Sequence, residues 1–245
     1  MNWMTNWMMR EGPGIPKNAP KKTGLALFFF VLFREAWDLF KLNVMLLVLS
    51  IPLVTIPAAF AAATRITVLM VQDENVYLWR DFWRAFRQYF RAATVAGLAF
   101  AAVLGLSGYA VYIYAQMARH NLAFAIPVAI GASVVIVTAM TASVYFVLMV
   151  RSELHGAPLL KAALMAVLAR PLPILGGLAV VAALWVAHII FYPASVFMPV
   201  VFNFSLGSLV MTFTAFRASD FALSLAGVTG PDHGANDPAT AQMRN

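Results

Sequence analysis

Arg80, Arg84, Arg87 and Arg91 recur at i, i+4, i+7 and i+11 within VYLWRDFWRAFRQYFR, residues 76–91. At about 100° per residue they share a helical stripe roughly 60° wide. Trp79, Phe82, Trp83, Phe86 and Phe90 fall on the neighbouring face. Guanidinium groups grip carboxylates and phosphates bidentately, and aromatic rings favour the headgroup level of a bilayer. Two roles follow from this chemistry. The segment is either an interfacial helix that anchors one membrane face, or a docking site for a cytosolic partner such as an ATPase subunit or for an anionic ligand. Interleaved rings and arginines also stack on bases. The stripe runs directly into an apolar run, however, so no nucleic-acid partner is expected.

Other reactive constellations are missing from the sequence. There is no glycine-rich phosphate loop with its lysine, no His-Glu-x-x-His and no Gly-x-Ser-x-Gly elbow. His120, His155, His188 and His233 show no ligand spacing, and there are no cysteines. The expectation is a protein that is not an enzyme and needs no cofactor or metal. Polar residues inside apolar runs are functional candidates by default. Asn43 and Asn203 suit hydrogen bonds across helices. Arg65 either snorkels to the interface or pairs with Asp73 or Glu74. His188 either sits near the headgroups or bonds a backbone carbonyl. Pro52, Thr55 and Pro57 mark a broken helix, the kind of element that lines transport sites.

The elements that would position these residues are written in the composition. Of 245 residues, 62% are hydrophobic and 11% charged. A soluble domain carries about a quarter charged residues and cannot hide this much apolar surface. The pattern predicts an all-α, polytopic transmembrane helical bundle. Residues 1–24 read as a polar cytoplasmic tail, 25–217 as the transmembrane domain with interfacial helix 76–91, and 218–245 as a flexible C-terminal tail. Residues 25–41 read as an amphipathic helix on which Arg34 and Asp38, at i, i+4, are placed to pair. Asp73 and Glu74 suit the N-terminal dipole of the arginine helix. Ala93, Gly97, Ala101 and Gly105 place a small residue at every fourth position, for close helix approach, and Gly176–Gly177 read the same way.

Clear spans are expected at 92–114, 124–150, 174–192 and 197–216. Residues 42–71 are ambiguous: one kinked crossing, or a hairpin turning around Ile51–Pro57. The placement of Lys and Arg favours the hairpin. The chain carries 17 Lys+Arg against 10 Asp+Glu. With the hairpin and a cytoplasmic N-terminus, Arg119 alone falls outside. The single crossing puts the basic tail opposite the arginine helix. The positive-inside bias therefore predicts about six spans (five if 42–71 crosses once), with both termini cytoplasmic.

NVMLLVLSIPLVTIP (43–57) and ITVLMVQDENVYLWRDFWRAFRQYFRAA (66–93) resemble the YesL-like family of bacterial integral membrane proteins, a domain of unknown function. Asn43, Ser50, Pro52 and Thr55 match its pattern, while the usual Gly-Pro step is replaced by Pro57 directly after Ile56. The resemblance covers roughly 25–217 and is specific in 43–93. It implies a bacterial inner-membrane protein. Family members often occur beside carbohydrate ABC importers, so the resemblance also implies a non-enzymatic accessory or regulatory role with such an importer. A stand-alone small-solute transporter with its site near Pro52–Pro57 is the alternative. The importer-permease coupling loop is not matched, because HGAPLLKAALMAVLARPLP (155–173) lacks the acidic Glu-Ala-Ala start.

Overall fold

The computed structural model describes residues 24–225 and Gly227, and among them there are helices and turns but no strands. The helices are α1 (Leu25–Arg34), α2 (Ala36–Ser50), α3 (Ile56–Val71), α4 (Leu78–Ala118), α5 (Ala125–Arg151), α6 (Gly156–Ala169), α7 (Pro171–Ile190) and α8 (Phe204–Leu225). A 3-10 turn at Leu53–Thr55 separates α2 from α3, and a π-helical turn at Pro199–Asn203 leads into α8. Five helical stretches are long and apolar enough to cross a membrane: Leu53–Val71, Leu78–Ala118, Leu122–Arg151, Pro171–Ile190 and Pro199–Leu225. The chain is therefore an all-α polytopic bundle.

Helix α3 is its centre. Ala58, Ala59, Ala61, Ala62 and Ala63 are fully buried, as are Ile66, Val68 and Met70. A helix buried around its whole circumference must be apolar or small on every side. Between helices that gain nothing from leaving lipid, small side chains permit the close contact that holds them. Helices α2, α4, α5 and α8 pack around it.

The segment 42–71 is a hairpin. Arg34 binds Asp73, 39 residues away in sequence, which brings the start of α2 beside the end of α3. Pro52 and Pro57 bracket the turn, and the Thr55 hydroxyl donates to the Leu49 and Pro52 carbonyls, satisfying the end of α2. The first arm has 15 residues, about 22 Å. That is short of a hydrocarbon core of about 30 Å. The six expected passes resolve into five helices of spanning length and this shorter arm.

The turn has a defined neighbour. Pro57 lies against Gly97 in the middle of α4, where an added Cβ would fall 2.3 Å from the proline Cβ. From Gly97 to Ala118, α4 runs on for about 31 Å beyond the turn, paired with α5. Phe100 packs edge-on to Tyr145 at 5.4 Å, and Val111 lies against Gly131. This projecting pair exposes Leu98, Leu106, Tyr109, Ile126 and Ile130, a surface suited to lipid. Of the small-residue stripe, Ala93 and Gly97 are packing positions, whereas Gly105 faces open space. Gly177 packs on Thr214, and Gly176 does not pack.

Four expectations are corrected. Residues 25–41 are not one helix, because the chain breaks at Glu35. Arg34 therefore pairs with Glu35 and Asp73, and Asp38 pairs with Lys41 instead. Burial opposes the Arg34 charge, but its bonds to Asp73 and Glu35 prevail and raise its pKa. Asp73 does not serve the α4 dipole. It sits at φ 60° and closes α3, with Glu74 N–H bonding Leu69 O at 3.0 Å and Asp73 N–H bonding Met70 O at 3.3 Å, a Schellman ending. Asp81 accepts from Tyr77 N–H at 2.9 Å at the start of α4 in its place. Residues 76–91 are not a separate helix. With no Pro or Gly between Leu78 and Val95, they form the first part of the 41-residue α4. Residues 218–225 are not tail either, since α8 continues to Leu225 and buries Ala218, Ala222 and Leu223. The tails expected at 1–23 and 228–245 lie outside the described residues.

Candidate functional site

Charged side chains from several helices gather at one place on the bundle. Arg65, Glu74, Arg80, Asp81, Arg84, Arg151, Glu153 and His155 line one groove of about 850 Å³ there. Helix α4 supplies its wall for a simple reason. Phe82, Ala85 and Phe86 point into the core, so the positions between them point out. Arg80, Arg84, Arg87 and Arg91 are all exposed.

The rings that the sequence set beside the arginines divide. Phe82 and Phe86 are buried against protein, while Trp79 is exposed. Trp79–Trp83, Trp83–Phe86 and Phe86–Phe90 stack edge to face at 5.9, 5.5 and 5.5 Å, geometry that rings favour. The aromatic ladder stiffens the helix and holds the arginine side. Arg80 lies over Tyr77 at 4.3 Å and bonds Asp81 at 3.0 Å. Arg87 lies over Trp83 at 5.8 Å. Among the described residues, Arg84, Arg87 and Arg91 have no ion pair.

Arg65 pairs with neither Asp73 nor Glu74. It leaves the core and bonds Val150 O at 3.3 Å, at the rim of the groove. Arg151, one residue past the expected span 124–150, makes several anchoring contacts at this end. Its side chain is 8% exposed. It bonds Asp220 at 2.6 Å, the Phe216 carbonyl at 3.1 Å and the Ser219 hydroxyl, and lies 3.7 Å over the Phe216 ring. It ties α5 to α8.

Asn43 joins two helices, as expected, and does so completely. Its Nδ2 donates to Pro199 O at 2.9 Å and Val200 O at 2.6 Å. Its Oδ1 accepts from Phe204 N–H and Ser205 N–H, both at 3.0 Å. These are backbone groups at the π turn and the start of α8, and one amide from α2 bonds all four. Asn203 behaves differently. It is 2% exposed, yet both polar atoms of its side chain lack a protein partner. His188 Nδ1 lies 3.0 Å from Ser195 O and 3.2 Å from Ser195 Oγ, and Ser195 Oγ donates to His188 O at 2.8 Å. It fastens the α7 end to the following loop. At the Pro52–Pro57 turn, the Thr55 hydroxyl is used within the turn, and Ile51, Leu53 and Val54 face outward. Among the described residues, no group of three His, Asp or Glu side chains is arranged to hold a metal ion.

Comparison with known proteins gives one match. Residues 28–110 match the model of a family described as "Protein of unknown function, DUF624". No curated protein and no solved structure matches the chain. The matched segment contains α2, the Pro52–Pro57 turn, α3 and the arginine face of α4. Over residues 28–110 the chain is thus similar to the DUF624 family, in line with the YesL-like resemblance, and that segment lies in a bundle whose helices are long and apolar enough to cross a membrane.

Proposed function

We propose that this protein is a non-enzymatic accessory subunit that presents an arginine-lined face to an acidic partner, and that the partner belongs to a carbohydrate ABC importer of the bacterial cytoplasmic membrane. The observation that carries the proposal is the state of α4. Arg84, Arg87 and Arg91 are exposed, with no ion pair among the described residues, on a helix whose opposite side is fixed in the core. Guanidinium groups spaced along one fixed helix bind carboxylates bidentately. The importer enters through the family resemblance, whose members often occur beside such systems. The charged end faces the cytoplasm in this reading, because Arg119 stands apart from the other described basic residues, between α4 and α5.

The test is co-purification of the importer with wild type and with Arg80, Arg84, Arg87 and Arg91 all replaced by Gln. Recovery should fall in the variant, and wild-type recovery should weaken with salt. Undiminished association of the variant overturns the docking role. A second reading, a stand-alone transporter of small solutes, draws support from the two helix interruptions at Pro52–Pro57 and Pro199–Asn203. Solute uptake by the protein alone in vesicles, without any ATPase, would favour it.

A further inference from the structure

A cavity of about 300 Å³ lies between α3, α5, α7 and α8. Its walls are largely aromatic: Phe60, Phe146, Trp185 and Phe204. Trp185 and Phe204 meet edge to face at 5.4 Å, and Phe60 and Phe204 at 6.5 Å. Asn203 and Ser208 also line it, 2% and 6% exposed, and neither the Asn203 amide nor the Ser208 hydroxyl has a partner among the described residues. A buried polar group without a partner costs roughly 1–3 kcal/mol. Three such functions on one cavity wall demand an explanation. The other polar side chains around it are already engaged. Thr64 donates to Phe60 O at 2.8 Å, Ser143 to Ala139 O at 2.8 Å, and Thr212 meets Thr67 at 2.7 Å.

The sequence builds this cavity deliberately at a helix interruption. The π turn adds a residue to the helical register, and such turns recur at functional sites. It ends on Asn203. Asn43 satisfies the opened backbone, so the interruption persists without loose ends. Gly207 and Ala142 keep the walls thin. Ser143, Phe146, Val181 and Trp185 are half-buried and mark the open side, between α5 and α7.

We propose that this cavity binds a small, uncharged amphiphile: an apolar, ring-sized body with one hydroxyl or amide group held by Asn203 and Ser208. The claim is independent of the docking role at the charged end. Size sets the first limit, since an engineered cavity of about 150 Å³ holds one benzene, and this one has about twice that space. Charge sets the second, because no ionisable side chain lines the cavity, which excludes phosphate headgroups and ammonium ions. Polarity sets the third. A sugar would bring many hydroxyls to a largely aromatic wall and would leave most of them unpaired.

The test uses detergent-purified full-length protein and a ring-diazirine derivative of 3-phenylpropan-1-ol as photoprobe, with labelled residues located by mass spectrometry. Labelling should concentrate on residues 142–147 and 203–212 and be displaced by unlabelled 3-phenylpropan-1-ol. Glucose should not displace it. Asn203→Leu should weaken displacement about tenfold, the worth of one net hydrogen bond, without lowering the unfolding temperature. Ala142→Leu, which fills the space from the half-open side, should abolish labelling there. Labelling spread evenly over the lipid-facing surface of α4 and α5, or cavity labelling unchanged in Asn203→Leu, overturns the proposal.

Discussion

Replacing Asn43 by Leu keeps nearly the same volume and removes four hydrogen bonds at once. The lost partners are two carbonyls, of Pro199 and Val200, and two amide N–H groups, of Phe204 and Ser205. Asn43 is fully buried, so water cannot replace it. Side-chain hydrogen bonds between helices in membrane proteins average about 0.6 kcal/mol, which for four gives a floor near 2.4 kcal/mol. Orphaned N–H groups cost roughly 1–3 kcal/mol each, which for two gives a ceiling near 6 kcal/mol. The expected loss is about 4 kcal/mol. Asn203→Leu is the matched control, an equally buried asparagine that bonds nothing in the protein; its stability should be unchanged or raised. The assay is equilibrium unfolding in detergent by SDS titration, followed by the fluorescence of the chain's 6 tryptophans. If Asn43→Leu unfolds within about 0.5 kcal/mol of wild type, or the two variants are equally damaged, then the amide does not bridge the interrupted helix.

Three further outcomes follow from the packing. Gly97→Ala should destabilise by about 1–3 kcal/mol, since its Cβ meets the Pro57 ring at 2.3 Å; Gly105→Ala, facing open space, should stabilise by up to about 1 kcal/mol. The same SDS titration reads both. Arg151→Met should cost about 2 kcal/mol, below the usual figure for a broken buried pair because Asp220 is partly exposed, and Arg151→Lys should recover part of the loss. In a double-mutant cycle, Thr67→Val and Thr212→Val should couple by about 0.6 kcal/mol through their hydroxyl contact, and additive effects would remove that bond from the account.

The helical bundle was legible because apolar runs and charge placement are local signals. Two prolines announced the 52–57 turn, and the basic residues favoured the hairpin that the Arg34–Asp73 contact then closed. Asn43 was legible as a residue that bonds across helices, though not its partners, since Pro199 and Phe204 lie more than 150 positions away. The Arg34–Asp38 pair failed on a single break at Glu35, a residue with no helix-ending chemistry of its own. The arginine stripe was read correctly as one face, but its aromatic neighbours were assigned to lipid. Phe82 and Phe86 belong to the protein core, and periodicity alone does not distinguish an apolar face against protein from one against lipid. The roles of Asn203 and Arg151 were not legible: Asn203 was expected to bond across helices, and Arg151 falls just past the expected span 124–150. The first matters because of what fails to reach it, and the second because α8 returns to meet it.

The central claim is that the arginine-lined end of the bundle faces the cytoplasm. The chain has no cysteine, so single cysteines introduced at Gln88 and Glu153 on the groove, and at His120 between α4 and α5, report sidedness directly. A membrane-impermeant maleimide applied to spheroplasts should label His120→Cys and leave Gln88→Cys and Glu153→Cys untouched. In inverted vesicles the pattern should reverse. Labelling of Gln88→Cys from outside, or of all three from one side, would contradict the account.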